Sequence, residues 1–99
     1  MVIVEATGVS PEGRISLGDS GLWNEKQVAA LKPITEFIKS QGAVPAIQLA
    51  HAGRKASTLV PWEGNGALTT AQGAWQSVAP SALAFDGNYP PPVALDEAG

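Results

Sequence analysis

An α/β fold is predicted by three observations: a β-branched apolar run at the start of the chain, a long segment with helical apolar spacing, and a second short apolar run directly after it. Strand, helix and strand within about 50 residues make a βαβ unit, whose strands run parallel and are joined by a right-handed crossover. The first strand is expected from Met1 to about Val9, where Val2, Ile3 and Val4 favour extended backbone. "SPEGR" then reads as a turn, with Pro11 presetting φ and Gly13 closing it. "ISLGDSGLW" reads as a second loop that delivers the chain to Asn24. Asn24 is a good N-cap, and Gln27 three residues on completes a capping-box pattern.

The helix is expected over Glu25 to Ser40, because Val28, Leu31, Ile34 and Ile38 form one apolar stripe, widened by Ala30 and Phe37. Pro33 lies inside it and is expected to kink or split it, since proline lacks the N–H and its ring clashes with the preceding turn. Gly42 suits the left-handed position that ends helices, and "AVPAIQLA" starts the second strand. Alternation in that strand places Ala46, Gln48 and Ala50 on one face and Ile47, Leu49 and His51 on the other. The alanine face leaves room above it, and the Gln48 amide offers one donor and one acceptor edge to an amide-like heterocycle. Against this stands the commoner fate of a strand glutamine, satisfaction by neighbouring backbone or water.

Composition narrows the function classes. At 44% hydrophobic and 15% charged, the 99 residues have globular composition and fill one domain at most. A net charge of -3 disfavours nucleic acid and acidic membrane surfaces as partners. Cysteine is absent, which removes disulfides, thiolate metal sites and a cysteine nucleophile together. His51 is the only histidine, so no His-based metal cluster can be assembled, and a structural role is its default. No phosphate-binding glycine motif lies between strand and helix, no apolar run nears the roughly 18 residues that span a bilayer, and the expected location is the cytoplasm.

Other candidates have plain alternatives. Arg54 and Lys55, adjacent at a strand end, suit a phosphate or carboxylate but more often form a solvated turn or an ion pair. Glu5 is either a paired buried charge or a residue on the wetter side of its strand. Asp19, Ser20 and His51 supply the letters of a hydrolytic triad without a nucleophile-elbow pattern. Residues from Thr58 to about Val93 are rich in Gly, Pro and Ala and carry Trp62, Trp75 and Tyr89. In this excursion "SALAF" is the best candidate for a short hairpin strand, and the tryptophans are expected to pin the loop rather than touch substrate. The strand-like start has nothing before it to pair with, and "ALDEAG" reads as the beginning of a helix, so a piece of a longer protein is expected.

The runs "VIVEATGVSPEGRISLGDSGLWNEKQV", "AIQLAHAGRKAS", "PWEG" and "APSALAF", in this order, resemble the Old Yellow Enzyme family of FMN-dependent ene-reductases, in its thermophilic-like or xenobiotic-reductase-like branch. "IQLAHAGRKA" is the most specific of them. The resemblance implies a fragment of a TIM (β/α)8 barrel: strand 2, helix 2 and strand 3 in residues 1–55, then an irregular excursion in 56–99 leading to the next helix. It implies FMN as cofactor, NAD(P)H as hydride donor and an enone or other activated alkene as substrate, and it admits a homo-oligomer. Ala6 matches a small residue that touches the flavin, and Gln48 matches the glutamine that hydrogen-bonds the pyrimidine edge. Arg54 is implied to act indirectly, through hydrogen bonds behind the site. The substrate-polarising histidine pair and the phosphate-binding residues of the family fall outside these 99 residues, so no catalytic residue is assigned here. The alternative from another class is a non-catalytic α/β fragment or interaction module without cofactor.

Overall fold

The computed structural model describes residues 1–99. Strand β1 (Val2–Gly8) leads into a short 3-10 turn at Pro11–Gly13, and β2 (Ser20–Gly21) precedes helix α1 (Glu25–Ser40). Strand β3 (Pro45–Ala50) follows, then 3-10 turns at Gly53–Lys55 and Thr70–Gln72, and the short strands β4 (Val78–Ala79) and β5 (Val93–Ala94). The sheet order is β2-β1-β3, with β1 parallel to both neighbours. β4 and β5 form a separate parallel pair.

Helix α1 starts where capping chemistry sets it. The Asn24 side chain accepts from the Gln27 N–H at 3.0 Å, and Gln27 Oε1 accepts in return from the N–H groups of Trp23 (2.7 Å) and Asn24 (3.2 Å). At the other end Gly42 takes φ 78°, and its N–H reaches the Lys39 carbonyl at 3.0 Å. Pro33 does not divide the helix, which runs through it without a break. Of the two outcomes expected at Pro33, a kink or a split, the split does not occur, because the ladder continues on either side of the one missing N–H.

Two further expectations are corrected. The loop "ISLGDSGLW" contributes β2, in which Ser20 and Gly21 pair with Thr7 and Gly8. Small residues at that point let the loop approach the edge of β1 closely enough to bond it. "SALAF" forms no strand, and the excursion is no hairpin: Val78 and Ala79 pair in parallel with Val93 and Ala94. At "ALDEAG" the Asp96 side chain accepts from the N–H groups of Ala98 (2.9 Å) and Gly99 (3.1 Å), the bonds a helix N-cap makes.

The buried residues do not lie under α1. Thr7, Ser16, Ala56, Ser57, Thr58, Ser77 and Ala79 are buried, a set of small and mostly polar side chains gathered around the C-terminal ends of β1 and β3. Their polar atoms are hydrogen-bonded: Thr58 Oγ1 donates to the Ile15 carbonyl at 3.0 Å, and Thr7 Oγ1 to that of Glu5 at 2.8 Å. No helix residue is buried. An open groove of about 490 Å³ instead lies between α1 and the sheet, lined by Val4, Leu31, Ile38 and Ile47 among others. No helix is long and apolar enough to cross a membrane.

Candidate functional site

The pairing of β1 with β3 decides what stands across from Gln48. Ile3 pairs with Ala46 and Val4 with Ile47, so regular continuation would set Glu5 opposite Gln48. A bulge between Val4 and Ala6 breaks that register and sets Ala6 there instead. The extra residue, Glu5, is exposed and accepts a hydrogen bond from Ser20 Oγ at 3.2 Å. The bulge therefore replaces a carboxylate by a methyl group across from the amide. Glu5 takes the second of its two readings, the wetter side of its strand.

Gln48 alternates with Ile47, whose side chain lines the groove beneath α1, so pleat geometry turns Gln48 to the opposite face. It is exposed, and its amide joins none of the side-chain hydrogen bonds of the chain, in contrast to Gln27, Gln72 and Gln76. Ala46 and Ala50 lie two residues to either side on the same strand, and Ala6 lies across. Ala46 also borders the groove under α1, so the free donor and acceptor have Ala6 and Ala50 as small neighbours, which fits the flat, polar edge of a heterocycle such as a flavin pyrimidine ring.

The residues after β3 tie it to the excursion. His51 Nδ1 accepts from the Gly53 N–H at 3.1 Å. A Cβ on Gly13 would come within 2.7 Å of His51 Cδ2, so only glycine lets the ring lie there. Arg54 Nη2 donates to Ser81 Oγ at 3.0 Å, and Lys55 Nζ lies 4.2 Å from the centre of the Phe85 ring. Neither cation finds a carboxylate, and the one ion pair of the chain is Lys32 with Glu36 on α1, at 4.0 Å. No ion pair forms at this turn; Lys55 stays exposed, and the contacts of both side chains run to the "APSALAF" segment.

The triad letters are not brought together. Asp19 accepts from the N–H of Ile15 (2.7 Å) and from Ser16 Oγ (2.9 Å), Ser20 bonds Glu5, and His51 bonds Gly53. The tryptophans divide. Trp75 is pinned, with its indole N–H donating to the Glu12 carbonyl at 3.0 Å, whereas Trp62 is 79% exposed beside a pocket lined by Glu5, Ala6, Ile15 and Asp19. Two features escaped the sequence: the bulge, whose only signal is a glutamate inside an apolar strand, and the contact of Arg14 with Trp23 and Trp75. Nothing in the spacing of those three residues announces that contact.

A sheet of parallel strands with one helix beside it places the chain in the α/β class, and the free Gln48 carboxamide stands on that sheet near its strand ends. The chain belongs to the NADH:flavin oxidoreductase / NADH oxidase family, whose profile matches residues 1–83. It is 47% identical over 95 residues to an NADPH dehydrogenase of Listeria welshimeri, covering 96% of this chain and 24% of that protein. An NADPH dehydrogenase of Geobacillus thermodenitrificans is 40% identical over 98 residues, covering 99% and 24%. Among solved structures, morphinone reductase matches with TM-score 0.76 at 30% identity, over 98% of this chain and 27% of that one. The old yellow enzyme homologue from Zymomonas mobilis matches with TM-score 0.70 at 32% identity, over 97% and 26%. The chain thus spans about a quarter of the length of the relatives it matches.

Proposed function

We propose that the whole protein is an FMN-dependent NAD(P)H oxidoreductase that reduces activated C=C bonds, and that these residues are strand 2, helix 2 and strand 3 of its (β/α)8 barrel followed by an excursion. Such a barrel takes about 250 residues and carries its active site at the C-terminal ends of its strands. The parallel pairing of β1 with β3 supports that placement, as does the concentration of hydrogen-bonded loops at one end of the two strands.

The observation that carries the proposal is the free Gln48 amide across from Ala6. FMN, when bound, supplies the relay of hydride from NAD(P)H to the β-carbon of a carbonyl- or nitro-activated alkene. Gln48 would bond the pyrimidine edge of the ring, and Ala6 would meet it through backbone and small size. The bulge keeps Glu5 out of that position, where a carboxylate would stand against the acceptor atoms of the ring. A small-molecule alkene is the substrate class, and a homologous neighbour, morphinone reductase, has been solved with tetrahydroNAD.

The test uses the whole protein. It should purify yellow, bleach on anaerobic addition of NADPH and regain its colour with cyclohexenone. A colourless protein that takes up no FMN on titration overturns the proposal and leaves the cofactor-free α/β module in its place.

A further inference from the structure

The cations that leave the ends of β1 and β3 take partners in the excursion or beside it, and Arg14 is the most engaged of them. Its Nε donates to the Pro11 carbonyl at 2.8 Å. Its guanidinium carbon lies 5.6 Å from the centre of the Trp23 ring and 5.1 Å from that of Trp75, within cation–π range of both. Its stem rests on the end of β1: a Cβ on Gly8 would sit 3.2 Å from Arg14 Cγ.

Trp75 is held at two further points. Its indole N–H donates to the Glu12 carbonyl at 3.0 Å, and its backbone N–H to Ser57 Oγ, also at 3.0 Å. Ser57 is buried and takes φ 64°, a left-handed conformation that a serine keeps only where its surroundings over-determine it. The position of Trp75 is therefore fixed by several independent contacts. Gly8, under the Arg14 stem, pairs with Ala50, two residues beyond the Ala6–Gln48 pair. Whatever Arg14 holds is held at the end of the two strands that carry the proposed flavin contacts.

We propose that Arg14 is a positioning residue: through Trp75 it fixes segment 69–79 against the flavin-side ends of β1 and β3, and this closure slows flavin release. The proposal rests on the flavin-binding function proposed above. The role needs a planar cation, because a guanidinium stacks on indole faces while donating in its own plane and an ammonium does not.

The test compares wild-type holoenzyme with R14M, R14K, W75L and R14M/W75L, following FMN release on dilution, steady-state kinetics and amide hydrogen exchange. R14M should release FMN about tenfold faster and lose exchange protection in 69–79, with α1 unaffected and kcat changed less than about twofold. R14K should behave like R14M, and it keeps the test decisive if the methionine variant does not fold. The double variant should release FMN less fast than the product of the two single effects, since the Arg14–Trp75 contact is lost in both single variants. Wild-type release rates in R14M and R14K, effects that multiply in the double variant, or protection lost evenly along the chain would each overturn the proposal. A colourless wild-type protein sinks the proposed function and the effect on release with it, while exchange at 69–79 still decides whether Arg14 holds the segment.

Discussion

Gln48 is a polar side chain left free on its strand, with alanines two residues to either side, and its loss should be felt by the ligand more than by the fold. In the whole protein Gln48→Ala removes one hydrogen-bonding partner of a flavin edge, a net loss of about 0.5 to 1.5 kcal/mol, or roughly a two- to tenfold weaker FMN affinity. Fluorescence of released flavin on dilution measures it, and unchanged retention with unchanged reduction kinetics would remove Gln48 from the site. Gly13 makes a different kind of demand, since any side chain there enters the His51 ring. Gly13→Ala should cost about 1 to 3 kcal/mol by overpacking, and less in a His51→Ala background. Equal urea midpoint shifts in both backgrounds would show that the ring is not the obstacle. The amide and its alanine neighbours could be read from period-two alternation. The bulge that sets Ala6 rather than Glu5 opposite could not, because its one trace, a glutamate inside an apolar strand, suits a paired buried charge equally well. The contacts of Arg14 and Lys55 with aromatic rings lay hidden for a related reason: they join residues 9 to 61 positions apart, and sequence carries no distance information at that range.

At the scale of elements, local chemistry was the better guide. The bounds of α1 follow from Asn24, Gln27 and Gly42, whose capping and left-handed geometry are decided within a few residues. Asn24→Ala should therefore lower stability by about 1 kcal/mol in a urea melt of the whole protein, since it removes the side-chain acceptor of the Gln27 N–H and leaves it only the Asn24 carbonyl at 3.1 Å. A change below about 0.3 kcal/mol would mean that water serves that N–H equally well. β2, β4 and β5 escaped notice because two-residue strands have no periodicity to detect, and each exists only through its partner. Local chemistry acts at the last residues as well, where Asp96 accepts from the N–H groups of Ala98 and Gly99 as a helix N-cap does. Pro33 shows the opposite balance, a strong local breaker outweighed by the continuous ladder around it.

The whole molecule has its polar contacts complete and its apolar contacts incomplete. Every buried side-chain polar atom has a partner, yet the radius of gyration is 15.6 Å where about 13 Å is expected for a compact chain of this length. Along α1, Val28 is 47% exposed, Ile34 50% and Phe37 66%, and β3 has β1 on one side only. Unsatisfied strand edges and contiguous apolar stripes both drive association. The 99-residue polypeptide on its own should therefore sediment as oligomers or aggregate, hold little FMN and show no turnover. Phe37→Lys should raise the fraction of monomer in sedimentation velocity, because it puts a charge into the stripe. In the whole protein the same stripe has to be covered if the barrel placement is right, and Phe37→Ala should then cost about 3 kcal/mol or more through the cavity it leaves. The two measurements together locate α1. A whole protein indifferent to Phe37→Ala would mean that this face of the helix meets solvent there too, and the barrel assignment of strand 2, helix 2 and strand 3 would fail with it.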